Sequence, residues 1–242
     1  MIEKDFNNYS LRVFENKEEL FLNLSDLIEI DINQSLNLKD RFKFCICGGS
    51  TPKSLYKLLS KKDLFWERVD LFLGDERCVN PNSEDSNTKM IRNSLLNNFG
   101  SKALLYEIFK EGNLEENIAK RNLTKQLKNQ CDANPISFDL TLLGLGDDGH
   151  TASLFPYGIN NNIDELVIFS FGKGLKRISL TPKILSLSKK VFFLVCGASK
   201  QVALKRLIDL NESSERTPAK LIQPKSQILI FSDLEASKYL PI

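Results

Sequence analysis

With 242 residues, 42% of them hydrophobic, the chain can bury one large core, and no linker-like stretch divides it; a single α/β domain over residues 1–242 is expected. Thirty-three Lys and Arg stand against 31 Asp and Glu, a formal charge of +2 that is too balanced to advertise a nucleic-acid or acidic-membrane surface. The five cysteines (Cys45, Cys47, Cys78, Cys131 and Cys196) are odd in number, and three lie in or beside apolar runs, as reduced cysteines of a cytosolic protein do. A single histidine cannot complete a zinc-finger pattern, so no structural metal is expected. The opening Met1 to Phe6 lacks the basic start and apolar core of a leader, and no run approaches the length of a membrane span. The expectation is a soluble cytoplasmic protein.

Along the chain, short apolar runs at 11–14, 42–47, 69–73, 138–143, 166–171, 178–181, 191–196 and 228–231 have the length of buried strands. Amphipathic stretches at 17–32, 52–60, 86–98, 114–130, 199–210 and 233–240 alternate with them. Such alternation predicts a mostly parallel, twisted sheet covered by helices on both faces, a doubly wound α/β fold. The Asn-rich segment 158–162 is expected to be a solvated loop, and no repeat period is present.

Three of the loops after strands carry groups suited to chemistry. In Cys47-Gly48-Gly49-Ser50-Thr51-Pro52, two glycines let the backbone approach an anion, and Ser50 and Thr51 offer donors at the start of a helix opening at Pro52. The loop lacks the Lys-Ser/Thr ending of a Walker loop and the spacing of a dinucleotide fold, so it indicates neither ATP nor NAD; a plain glycine turn with a helix cap reads equally well from this motif alone. The second loop, Gly74-Asp75-Glu76-Arg77, places an acid pair and a base after the run 69–73; alone it also fits a surface ion cluster. Ser86 stands where a helix cap is wanted.

The third loop holds the only histidine: Gly144-Leu145-Gly146-Asp147-Asp148-Gly149-His150-Thr151. A strand running into a glycine-rich turn leaves its last side chains at the carboxyl edge of the sheet, where open α/β folds bind ligands. His150 is therefore a candidate acid/base, and Asp148, two residues before it, could orient the ring and stabilise its protonated form. Ser153 follows, but no G-x-S-x-G elbow accompanies it. Further on, Gly197-Ala198-Ser199-Lys200 repeats the arrangement of strand, glycine turn and helix start, with Lys200 as a point charge for phosphate. Arg177, before the run 178–181, is a weaker candidate.

Together these loops resemble the 6-phosphogluconolactonase family. The resemblance rests on Gly48-Gly49-Ser50-Thr51-Pro52, on Trp66 with Leu73-Gly74-Asp75-Glu76-Arg77-Cys78-Val79 and Asp85-Ser86-Asn87, and on the histidine loop through Phe155-Pro156. Arg177-Ile178-Ser179-Leu180-Thr181, Gly197-Ala198-Ser199-Lys200 and Pro218-Ala219 extend it toward the C-terminus. It implies a Rossmann-like fold similar to that of glucosamine-6-phosphate deaminase and ribose-5-phosphate isomerase, and hydrolysis of 6-phospho-D-glucono-1,5-lactone in the oxidative pentose phosphate pathway. It assigns His150 as the base that activates water and Asp148 as its partner. Gly48, Gly49, Ser50, Thr51, Asp75, Arg77, Arg177 and Lys200 fall to the substrate and its phosphate. Cofactor and metal are implied to be absent, and a monomer is expected.

Three departures from the family pattern, Cys47 for Ser, Asn80 for Pro and Thr88 for an aromatic, bear on loop stiffness. Two alternatives stay open: a glucosamine-6-phosphate deaminase, and a sugar-phosphate sensor without catalysis. Related deaminases carry Glu five residues after the histidine, where this chain has Phe155, and Tyr where it has Arg77.

Overall fold

A computed structural model describes residues 1–129, 138–158 and 165–241. In chain order, β1 (Ile2–Phe6) and β2 (Tyr9–Phe14) form a hairpin, followed by α1 (Lys17–Leu36), β3 (Phe42–Ile46), α2 (Ser50–Leu59), β4 (Val69–Leu73), β5 (Asp75–Arg77) and α3 (Asn87–Ser94). Then come β6 (Leu104–Tyr106), α4 (Glu116–Asn129), β7 (Leu140–Gly144), β8 (Val167–Gly172), β9 (Leu175–Leu180) and α5 (Pro182–Ser186). The described part closes with β10 (Lys190–Val195), α6 (Gln201–Ile208), β11 (Ile228–Asp233) and α7 (Leu234–Ser237).

The main sheet has eight strands in the order β1-β2-β11-β10-β7-β3-β4-β6, and every pairing except β1 with β2 is parallel. Parallel strands are covered on both faces, which is why they read as continuous apolar runs. All five residues of β4 are buried, as are the last five of β10. Helices α1, α2 and α3 pack side by side. The crossovers from β7 to β10 and from β10 to β11 progress in the opposite direction along the sheet, and right-handed connections then lie on the other face. From β3 the chain winds outward to β4 and β6, and from the adjacent β7 it winds the other way. This reversal opens a crevice at the carboxyl ends of β3 and β7, the position where doubly wound sheets bind ligands.

The opposite, amino edge is closed by ion pairs. Arg41 donates two hydrogen bonds to the buried Asp70, at 2.8 and 2.7 Å, and Lys190 reaches the buried Asp31 at 2.6 Å. Asp139 is paired with Lys39 and with Lys189. These carboxylates are buried and paired with basic side chains, and they stand at the far end of the strands from the crevice.

The structure corrects several boundaries. The runs 166–171 and 178–181 do not enter the parallel sheet. They lie in β8 and β9, joined by a tight hairpin through Lys173 (φ 52°) and Gly174 (φ 79°), and with β5 they form a separate antiparallel sheet in the order β5-β9-β8. A two-residue turn with both φ values positive matches strand twist and fixes antiparallel pairing. Helix α2 opens at Ser50 rather than at Pro52, which sits in its first turn where its missing N–H costs nothing. The expected helix 233–240 shrinks to α7, four residues capped by Asp233. Strands β1, β5 and β6 and helix α5 were not expected from the pattern, being short or too exposed to carry periodicity. Cys131, the end of the stretch 114–130 and most of 158–162 lie outside the described residues. Among those described, no helix is long and apolar enough to cross a membrane.

Candidate active site

The crevice holds a cleft of about 200 Å³ lined from both windings of the sheet. After β7 the backbone folds into a closed loop: Gly146 N–H donates to the His150 carbonyl at 2.7 Å, and Gly149 N–H to the Gly146 carbonyl at 3.1 Å. Thr151 Oγ1 ties the loop to the Gly144 carbonyl at 2.8 Å, and Ala219 N–H braces it from outside at the Gly149 carbonyl. The result presents His150 to the cleft with its Nδ1 2.5 Å from Asp148 Oδ1. A Cβ at Gly146 would lie 2.0 Å from Nδ1, so the pair packs where only glycine leaves room.

Burial pushes the Asp148 carboxyl up, but hydrogen bonds from the His150 ring and backbone N–H, with the ring's charge, outweigh it and hold this carboxyl well below the usual range. An ionised Asp148 at Nδ1 fixes the tautomer that leaves Nε2 as the basic nitrogen, and Nε2 has no hydrogen-bond partner among the described residues. The Phe155 ring packs against the imidazole at 4.7 Å between centroids, with the Arg177 guanidinium over its face at 5.4 Å.

On the facing wall, Gly48, Gly49, Ser50 and Thr51 form the N-terminus of α2 and line the cleft. Gly49 takes φ 103°, a conformation that turns the strand end into the helix start and that L side chains rarely adopt. Backbone N–H groups and the helix dipole give this end the chemistry that favours an anion. The acid pair after β4 divides into two roles. Glu76 is a structural anchor: buried, it accepts from the N–H groups of Arg77, Asn87 and Thr88 at 2.7–2.8 Å and from Ser86 Oγ, so it holds the start of α3. Asp75 faces the cleft and is held by Ser153 Oγ and by Arg177 at 3.5 Å. Ser153 is 1% exposed and spends its hydroxyl on Asp75, so it is no nucleophile.

All of the expected site residues therefore converge, with Asp148 behind His150 and bonded to it, and the others on the cleft wall. Arg77 also donates to the Asp85 carbonyl at 2.5 Å, which fixes its guanidinium across the loop to α3. Burial pulls the Lys200 ammonium below its usual range, with Asp147 pulling it back up and Lys173 pushing it further down. Sequence reasoning missed Lys173 and Asn87, both on the wall. The signal for Lys173 was the Gly172-Lys173-Gly174 turn between two apolar runs; a hairpin there swings its tip to the histidine loop, where Lys173 meets Asp147 at 3.1 Å. Of the departures in the loops, Asn80 closes its own turn by accepting from Asn82 N–H at 2.9 Å, a side-chain substitute for the stiffness of proline.

The model of the family described as glucosamine-6-phosphate isomerases/6-phosphogluconolactonase matches residues 15–231. The chain belongs to this family. A 6-phosphogluconolactonase of a Nostoc species is 30% identical over 239 residues, covering 96% of this chain and 99% of its own. The crystal structure of 6-phosphogluconolactonase from Thermotoga maritima superposes with a TM-score of 0.78 at 26% identity, over 93% of this chain and 99% of that one. A monomeric glucosamine-6-phosphate deaminase, 17% identical, reaches a TM-score of 0.79 over 95% of this chain and 99% of its own, which shows the shared fold alone. The family expected from the resemblance and the mostly parallel sheet expected from the alternation of strands and helices are both confirmed.

Proposed function

We propose that the protein hydrolyses 6-phospho-D-glucono-1,5-lactone to 6-phospho-D-gluconate, with His150 as general base, and that residues 1–242 act as one unit. The observation that carries this reading is the His150–Asp148 pair, presented at the switch point of the sheet opposite the anion-binding end of α2. A δ-lactone is an activated ester, so it requires a placed water and a base but no covalent nucleophile. With Asp148 holding Nδ1–H, Nε2 takes a proton from water as the water oxygen bonds to the lactone carbonyl carbon. The carbonyl oxygen becomes an oxyanion, and donors in the cleft stabilise it. Collapse of this adduct breaks the bond to the ring oxygen, which receives the proton from Nε2 and leaves as the free hydroxyl. The α2 N-terminus with Arg77, Arg177, Lys173 and Lys200 supplies the positive field for the phosphate. Binding energy at that remote group fixes the carbonyl near the base.

The deaminase reading needs a second acid/base group beside the histidine. At that place stands Phe155, whose ring touches the imidazole and transfers no proton. The sensor reading expects a damaged acid–base pair, and this pair is intact. The deciding experiment follows acid release from freshly generated lactone with and without the purified protein. Turnover above the spontaneous rate, unchanged by EDTA, is expected; a rate equal to the spontaneous one would refute the reading.

A further inference from the structure

Asn87 is 1% exposed yet lines the cleft, and its side-chain amide has one orientation. Nδ2 stands 2.9 Å from the Asp75 carbonyl, which only accepts, so the nitrogen must be the atom facing it. The backbone N–H is bound to Glu76 at 2.8 Å, which fixes the residue from its other side at the start of α3. Oδ1 is thereby turned away from Asp75, and it accepts no hydrogen bond among the described residues. It stands against the anion cradle: a Cβ at Gly48 would lie 1.9 Å from it. With Nδ2 and the backbone N–H both committed, Oδ1 is the one polar atom of this rigidly held side chain left to meet a donor from a ligand in the cleft.

The surrounding wall is rich in donors and poor in acceptors. Arg77, Lys173, Arg177 and Lys200 suit phosphate and carbonyl oxygens, and the Asp75 carboxylate is already engaged by Ser153, Arg177 and Asn87. A sugar lactone also brings hydroxyl donors, and near a phosphate site a neutral acceptor receives them without the repulsion a carboxylate would add. We propose that Asn87 is a specificity-determining residue whose Oδ1 accepts a hydrogen bond from one ring hydroxyl of the substrate. The proposal rests on the lactonase reading and names a contact that reading does not include.

The test compares the parent lactone with its 2-deoxy, 3-deoxy and 4-deoxy counterparts, in wild type and in Asn87→Ala, each rate taken above spontaneous hydrolysis. In wild type, one deoxy lactone should lose about 3- to 10-fold in kcat/KM, the value of one neutral hydrogen bond. In Asn87→Ala that same penalty should vanish. Ratios between substrates within one preparation are unaffected by the fraction folded, and Asn87→Ser supplies the same comparison if Asn87→Ala does not fold. Equal rates on all four lactones in wild type, or penalties that persist unchanged in Asn87→Ala, would overturn the proposal while leaving the lactonase reading standing. No turnover of the parent lactone by wild type would instead remove the reading on which it rests.

Discussion

Replacing Gly146 by alanine tests the histidine loop without replacing any group that takes part in the reaction. The added Cβ would lie 2.0 Å from His150 Nδ1, 2.3 Å from its Cε1 and 2.6 Å from Asp148 Oδ1, whereas ordinary contact begins at 3.4 Å. The ring must retreat by more than about 1 Å, and a displacement of that size at a reacting group costs roughly 100-fold in rate, equivalent to about 2.7 kcal/mol of barrier. Gly146 does not occupy the left-handed region, so alanine meets no backbone strain; the cost to stability is that of overpacking, about 1–3 kcal/mol. The assay is kcat/KM on the phosphorylated lactone together with thermal unfolding. Because the chain has one histidine, a single imidazole signal in nitrogen-detected NMR reports the tautomer directly. A folded Gly146→Ala protein with activity within threefold of wild type and an unaltered imidazole signal would refute the claim that the pair's geometry is what the loop provides.

Three further outcomes follow from the site. Lys200→Ala should weaken the phosphorylated lactone by about one to two decades in affinity while sparing residual turnover of unphosphorylated gluconolactone, as expected for loss of one charge-assisted contact; equal losses on both substrates would remove Lys200 from phosphate recognition. Asp148 has a carboxyl held below its unfolded value of about 3.9, so its contribution to stability is present above that pH and is lost as the pH falls toward the depressed folded value. The difference in unfolding midpoint between wild type and Asp148→Asn should accordingly shrink on acidification below about pH 4, and a difference that grows there would contradict the sign. With phenyl in place of an acid beside the imidazole, glucosamine 6-phosphate should release no ammonia; sustained release exceeding lactone hydrolysis would favour the deaminase.

The parts readable from the sequence were those fixed by local pattern. β3, β4, β7 and β10 showed as apolar runs because both faces are covered, and the loops after β3, β4 and β7 showed because glycines and charged groups cluster at their carboxyl ends. The placement of β8 and β9 was not readable. Their composition suits a buried strand of either sheet, and only the positive φ values at Lys173 and Gly174 decide for a hairpin. Hence Lys173 was missed as a wall residue. The division of labour between Asp75 and Glu76 was equally hidden: adjacent strand residues point to opposite sides, and which carboxylate meets the cleft depends on where α3 packs. Asn87 lies twelve residues beyond Asp75 and reaches the site only through that packing.

The central claim is that His150, held by Asp148, is the base for lactone hydrolysis, and its most direct measurement is the steady-state rate of His150→Ala on 6-phospho-D-glucono-1,5-lactone, corrected for spontaneous hydrolysis. Removal of a general base costs roughly 10²–10⁴-fold, so the folded variant should retain at most about 1% of wild-type kcat/KM. Turnover close to wild type in a variant with a normal unfolding transition would contradict the account.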